Sequence, residues 1–255
     1  QPQILREQFA AQHGLDPGKQ WIALLPGSRR KEVRLNLPVM IEAAQLLQKQ
    51  SNGFEFLLPV ASTLNAEWLR GELEQMPGLK PGFIRAPQAG DPLWTDGLAS
   101  TERGPFVDPR STGLAANSPT IHLTDNARAT LMHARAAVVA SGTATVEAAL
   151  SGTPFIVVYR LAPLTWLLGR RLVKLDTFAM PNLIAGRKIV PELIQKDFTA
   201  QNVLRELNAI IPDGPARQQM EADLKMVQQR LRDSEHAESP AQRAARKILG
   251  ALATE

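Results

Sequence analysis

Ala136-Ala137-Val138-Val139-Ala140-Ser141-Gly142-Thr143-Ala144-Thr145-Val146-Glu147-Ala148-Ala149-Leu150 decides the fold. Five apolar residues read as a buried strand over 136–140, Ser141-Gly142 as a tight turn, and 144–151 as a helix. Such a turn leaves backbone N–H groups free at a helix start, where the dipole favours negative charge. Ser141 and Gly142 shape the turn, and Thr143 and Ala144 supply amide donors for phosphate. Glu147, one turn into the helix, suits the two hydroxyls of a ribose, although it also reads as an exposed first-turn acid. The segment alone is weak support for a nucleotide site, because many small-residue turns bind nothing.

Two other stretches strengthen it. Trp21-Ile22-Ala23-Leu24-Leu25 runs into Pro26-Gly27-Ser28-Arg29-Arg30-Lys31-Glu32, a second apolar run that ends in a glycine turn. The Arg29 guanidinium offers a planar fork that matches phosphate oxygens. Arg30 and Lys31 read as solvated charges, and Glu32 as a cap on the following helix. The third stretch is Pro181-Asn182-Leu183-Ile184-Ala185-Gly186-Arg187, followed by Pro191-Glu192-Leu193-Ile194-Gln195. Asn182, Glu192 and Gln195, expected in loops, have the hydrogen-bonding capacity to read a base or a sugar. Asn182 also reads as a turn asparagine, and Pro191-Glu192 as an ordinary helix start.

The rest of the chain alternates strand and helix. Strands are expected over 21–26, 54–60, near 84, over 121–123, 136–140 and 155–159. Helices are expected over 33–50, with Pro38 near the start or at a kink, and over 65–76, 144–151 and 163–174. A further helix after Leu123 is expected to be capped at Thr124 or Asp125. Beyond Gln195 the pattern is helical only, over 199–210, 214–232 and 239–253. This alternation implies an α/β fold with a doubly wound parallel sheet, whose ligands sit at the carboxyl ends of the strands. Both glycine turns fall at such ends. The expected organisation is a preceding remnant or linker over 1–20, a Rossmann-like domain over 21–198, and a C-terminal helical extension over 199–255. The irregular stretch 88–119, rich in Gly, Pro, Ser, Thr and Asp, exceeds the usual loop limit of ~12–15 residues and reads as an insertion, either a surface loop or a lid.

Composition narrows the classes. The chain has 255 residues, long enough for a sizeable core, with 44% hydrophobic content that argues against wholesale disorder. With no cysteine, disulfides and thiolate metal sites are excluded. His13, His122, His133 and His236 show no paired metal spacing, so neither a metal nor another cofactor is expected. No apolar run reaches the ~20 residues of a membrane-spanning helix.

The net charge of +4 arises largely between Tyr159 and Val190, where Arg160, Arg170, Arg171, Lys174, Arg187 and Lys188 face one acid, Asp176. Few aromatic residues accompany them, and no RNA- or DNA-binding module is recognisable, so nucleic acid is not an expected partner. Leu164, Leu167, Leu168, Leu172 and Leu175 share one face of the helix expected at 163–174. Trp166, Arg170, Arg171 and Lys174 make that helix a candidate membrane-surface element; the alternative is a helix packed on the sheet with a basic rim.

Four blocks, LLPGSRRKEV at 24–33, ASGTATVEAAL at 140–150, VYRLAPLTWLLGRRLVK at 158–174 and MPNLIAGRKIVPELIQ at 180–195, resemble lipid-A-disaccharide synthases. Those are glycosyltransferases of the two-domain, twin-Rossmann (GT-B) kind. The resemblance implies that the chain is the C-terminal, UDP-donor-binding half, since family members carry another Rossmann-like domain before the first block. It implies a UDP site formed by Gly27, Ser28, Arg29, Ser141, Gly142, Thr143, Ala144, Glu147, Asn182, Glu192 and Gln195. The implied reaction is an inverting β-1,6 transfer of 2,3-diacylglucosamine from its UDP donor to 2,3-diacylglucosamine 1-phosphate, with UDP released. No residue here is an evident general base, so that base is expected in the preceding domain. The implied location is cytoplasmic, at the inner-membrane surface of a Gram-negative-type bacterium, with a homodimer as a candidate assembly. Three other readings remain open: another UDP-sugar GT-B enzyme (an epimerase or a different transferase), a non-catalytic module that binds nucleotide sugar or a membrane surface, and a nucleic-acid binder, which only the basic pI suggests.

Overall fold

In a computed structural model the chain is described over residues 4–79, 84–85, 118–160, 177–232, 245–246 and 249–250. Among these residues seven strands form one sheet: β1 (Gln20–Leu25), β2 (Phe54–Pro59), β3 (Ile84–Arg85), β4 (Ile121–Thr124), β5 (Ala136–Ala140), β6 (Phe155–Tyr159) and β7 (Glu192–Ile194). The order across the sheet is β3-β4-β2-β1-β5-β6-β7, and every pair is parallel. The chain first winds outward from β1 to β2, then returns past β1 and winds the other way through β5, β6 and β7. The switch between the two directions lies between β1 and β5, the place where open α/β sheets open a crevice for ligands.

The strands have little choice of structure. Residues Trp21 to Leu24, Phe56 to Leu58, Ala136 to Val139 and Phe155 to Val158 are almost fully buried, so near-continuous apolar runs are covered on both faces. The covering helices are α1 (Arg6–His13), α2 (Arg30–Gln50), α3 (Ala66–Glu74), α4 (Ala127–His133), α5 (Ala144–Ser151), α6 (Met180–Ala185), α7 (Ala200–Ile210) and α8 (Pro215–Arg232). Helices α2 and α7 pack together, α7 also against β5 and β6; α4 and α5 pack together, with α6 and α8 against α5. Right-handed crossovers put connections of opposite winding on opposite faces, which matches this division.

Several boundaries differ from the sequence reading. Helix α2 starts at Arg30, three residues before the expected 33, so Pro38 lies well inside it. Pro38 is exposed, as is Arg34, whose carbonyl would otherwise accept from position 38; water can serve that carbonyl instead. The cap of α4 is Asn126, whose Oδ1 accepts from Ala129 N at 2.9 Å, rather than Thr124 or Asp125. Thr124 ends β4, and its buried hydroxyl bonds that of Thr130 at 2.8 Å. The sequence reading missed β7 altogether: Glu192 opens a strand, not a helix.

Residues 1–20, read from sequence as a remnant or linker, include α1. Phe9 and Trp21 are fully buried in one cluster, and the Arg6 guanidinium lies 3.5 Å from the centroid of the Trp21 ring. The region next to α1 also buries charge. Glu55 Oε2 accepts from Asp16 N at 2.9 Å, and Glu55 Oε1 lies 3.7 Å from both Lys19 Nζ and His122 Nε2. Burial alone pushes the Glu55 carboxyl up, but His122, the Asp16 amide and Lys19 together hold it below the ordinary carboxylate value.

Most of the insertion expected at 88–119, the helix expected at 163–174 with Trp166, Arg170, Arg171 and Lys174, and most of the helix expected at 239–253 lie outside the described residues. The C-terminal extension is seen through α7 and α8. Helix α8 reaches back to the sheet's helices: Gln228 Nε2 donates to the carbonyls of Ala149 and Leu150 at 3.0 and 3.2 Å, at the end of α5. Arg230 Nη1 donates to Ile184 O at 2.7 Å, at the end of α6.

Candidate functional site

Both glycine turns stand at the carboxyl edge, on neighbouring strands. Leu25 of β1 is level with Val139 of β5, so Gly27-Ser28-Arg29 and Ser141-Gly142-Thr143 flank the switch point. Farther along the same edge, Ala140 is level with Val158, and Tyr159 with Ile194, which brings Gln195 to the crest of β7. Parallel pairing thus gathers residues more than 160 positions apart into one row.

The turn after β5 is held from below and open above. Ser141 N donates to Val158 O at 2.9 Å, and the buried Thr145 hydroxyl donates to Gly142 O at 2.7 Å. Gly142 has φ +151°, and a side chain there would meet nothing within 4 Å, so glycine serves the backbone angle and not the space. Among the described residues the N–H groups of Gly142, Thr143 and Ala144 make no hydrogen bond. Helix α5 begins at Ala144, which places these donors at its positive end. Glu147 is exposed, and its carboxylate has no partner among the described residues.

The turn after β1 is occupied by its own chain. Ser28 N and Arg29 N donate to Glu32 Oε2 at 3.1 and 3.3 Å, and Arg29 Nη1 donates to Glu32 Oε1 at 3.1 Å. The capping role expected of Glu32 is therefore present. Arg29 is 82% exposed, and its guanidinium is engaged by Glu32. Arg30, read as a solvated charge, lies 5.1 Å from the centroid of the Trp68 ring. Sequence reasoning missed Thr63, whose hydroxyl donates to Ser28 O at 2.5 Å; nothing local in Ser62-Thr63-Leu64 signals a contact 35 residues away.

The third block departs most from expectation. Asn182, Glu192 and Gln195 lie in α6, β7 and a short 3-10 turn (Gln195–Asp197), not in loops. Asn182 is fully buried. Its Oδ1 accepts from Ile189 N at 2.7 Å and Val190 N at 2.9 Å, and its Nδ2 donates to Val190 O at 3.0 Å and Glu192 Oε1 at 2.7 Å. Both donor hydrogens and both acceptor positions of the amide are used, so Asn182 acts here as a brace and has none left for a ligand. Glu192 is half-buried and accepts further from the Thr177 hydroxyl and from Phe178 N, the latter at 2.8 Å. Thr177 is a second participant that the sequence did not reveal. Gln195 has φ +52°, the one non-glycine residue with positive φ among those described. That angle is uncommon for a side-chain-bearing residue, and it falls at the edge where the turns gather.

Two arginines of the basic window are engaged. Arg160 Nη2 donates to Phe198 O at 2.6 Å, and Arg187 pairs with the buried Asp223. Among the described residues no cluster of three or more His, Asp or Glu side chains is placed to hold a metal, and no helix is long and apolar enough to cross a membrane.

Comparison with known proteins agrees with the four blocks. The sequence model of the family described as lipid-A-disaccharide synthetase matches residues 2–76 and 111–248. A lipid-A-disaccharide synthase of Koribacter versatilis is 46% identical over 244 residues, which cover 96% of this chain and 53% of that protein. One of Acidobacterium capsulatum is 46% identical over 230 residues, covering 90% of this chain and 50% of that protein. The chain thus spans about half the length of these curated relatives. Among solved structures, the glycotransferase of kitacinnamycin matches at a TM-score of 0.47 and 13% identity, over 91% of this chain and 43% of that one.

Proposed function

The chain belongs to the lipid-A-disaccharide synthase family, and from that premise we propose that it holds the UDP-activated sugar donor. The observation that carries the proposal is the open turn at Gly142-Thr143-Ala144. Three N–H groups that make no hydrogen bond among the described residues stand at the start of α5, beside the switch point and one helical turn from the Glu147 carboxylate, which likewise has no partner among them. The diphosphate lies against those amides and reaches the neighbouring Gly27-Ser28-Arg29 turn after β1, and Glu147 receives the ribose hydroxyls. Gln195 borders the base or sugar from the crest of β7. Asn182 acts at one remove, by fixing Glu192 and the 189–190 backbone.

The proposed reaction joins two acylated glucosamines. The 6-hydroxyl of 2,3-diacylglucosamine 1-phosphate attacks the anomeric carbon of UDP-2,3-diacylglucosamine, and the bond from that carbon to the diphosphate oxygen breaks. The product is a β-1,6 disaccharide, and UDP leaves. Negative charge grows on the departing diphosphate, where preorganised amides at a helix start lower the barrier. The hydroxyl proton needs a base. We assign that base, and the acceptor site, to a second domain outside this chain. Substrates with acyl chains also require access to a bilayer, so the working location is the cytoplasmic surface of the inner membrane.

Calorimetric titration of the purified chain with UDP tests the donor site. Saturable UDP binding without disaccharide formation is the expected result. Failure to bind UDP overturns the donor-site reading, and robust disaccharide synthesis by this chain alone overturns the assignment of the base elsewhere.

A further inference from the structure

The two glycine turns occupy equivalent places and are in opposite states. After β5 the amides are open; after β1 a carboxylate from the same chain covers them. Glu32 accepts from Ser28 N, Arg29 N and the Arg29 guanidinium together, at 3.1 to 3.3 Å. That is the set of donors an incoming phosphate would use at this turn.

The surrounding residues are shaped for this contact. Gly27 has φ +123°, and a Cβ there would lie 2.6 Å from Glu32 Oε2 and 2.8 Å from Glu32 Cβ. Bare backbone at position 27 is therefore what lets Glu32 fold over the turn. Behind it, the Thr63 hydroxyl holds Ser28 O at 2.5 Å and fixes the peptide that presents the Arg29 N–H. The closure is firm in geometry and shallow in energy. Arg29 is 82% exposed and Glu32 33% exposed, so water screens the pair and displacing the carboxylate costs little.

We propose that Glu32 is an internal anion that competes with the donor's diphosphate for the Ser28 and Arg29 amides and for the Arg29 guanidinium. The inference rests on the reading of this edge as a diphosphate site. Two anions cannot share the turn, so donor binding swings Glu32 out. When UDP leaves, the carboxylate returns and covers the amides again. Glu32 thereby limits how tightly the product is held. A residue that merely caps α2 would have no such effect: removing its charge would leave nucleotide affinity unchanged or weaker.

The test uses the full 255-residue chain, as wild type and as Glu32→Gln, which keeps side-chain length and one acceptor oxygen. Each is titrated calorimetrically with UDP and with inorganic pyrophosphate at one ionic strength, and the backbone amide signals of both turns are followed by NMR. Competition predicts binding about 2- to 5-fold tighter in the variant, the size of a carboxylate's interaction with an exposed helix start. It also predicts that UDP moves the Ser28 and Arg29 amide signals in the wild type. Glu32→Asp, too short to cover both amides, gives the same direction and serves if the Gln variant does not fold. Equal or weaker binding in the variants overturns the proposal. UDP that moves only the signals of residues 142–144 overturns it while leaving the donor site intact. No UDP binding by any form overturns both.

Discussion

Asn182 and Glu192 form one unit: the buried amide donates to the carboxylate at 2.7 Å while its oxygen grips the backbone of residues 189 and 190. The pair ties α6 to β7 with bonds that water cannot replace. Replacing Asn182 with alanine strands two amide N–H groups, one carbonyl and part of a carboxylate in a buried place. We expect a loss of about 2–4 kcal/mol in urea unfolding, from several buried groups left unpaired. UDP affinity falls as a consequence of that loosening. A stable variant with selectively lost UDP binding would instead mean a direct ligand contact.

The two turn glycines separate backbone angle from crowding. Gly142→Ala meets open space and carries only the cost of its φ, about 1 kcal/mol. Gly27→Ala also collides with Glu32, so it is expected to cost roughly 2–4 kcal/mol. Denaturant midpoints of the two variants, compared at constant slope, check the order. Equal losses would contradict the crowding at Gly27.

Glu147 is exposed and has no partner among the described residues, so the described fold has little stake in it. Glu147→Ala is expected to change stability by no more than about 0.3–1 kcal/mol, the value of a first-turn acid. Its effect on UDP affinity is expected to be larger, about 1–3 kcal/mol, if the carboxylate takes the ribose. Calorimetry with UDP and with pyrophosphate distinguishes the contacts: the variant should lose affinity for UDP and keep it for pyrophosphate.

Glu55 makes stability depend on acid. Its folded-state carboxyl is held below the ordinary value, so the unfolded chain takes up the proton first as pH falls. The stabilisation is complete above the unfolded value of about 4.3 and drains away as pH drops through the lower folded value. Urea unfolding between pH 7 and pH 3 should show this loss, and Glu55→Gln should flatten it. An unchanged slope in the variant would place the acid sensitivity elsewhere.

Much of the fold was legible because its signals are local. Runs such as Ala136–Ala140 and Phe155–Tyr159 are buried on both faces, and apolar residues bounded by glycine turns announce that directly. The missed elements depend on distant partners. Strand β7 has three residues and exists because β6 offers an edge. Helix α1 has a weak apolar face and is held by Phe9, by the Trp21 ring and by hydrogen bonds from Arg6 to the carbonyls of His133 and Lys19. At the candidate site the sequence singled out both glycine turns but not which donors stay open. Whether Arg29 or Asn182 faces a ligand depends on Glu32 and on residues 189–192, and those partners are set by chain geometry. Residue type alone made both look available.

The reach of α8 sets a practical limit on dissecting this protein. Gln228 and Arg230 close the rear ends of α5 and α6, while the front ends of the same helices face the carboxyl edge proposed to hold the nucleotide. A fragment cut off just after Gln195 would keep every residue named at that edge and still leave the two helices with exposed trailing carbonyls. Any shortened version made for ligand screening or crystallisation must therefore retain the chain through at least residue 230.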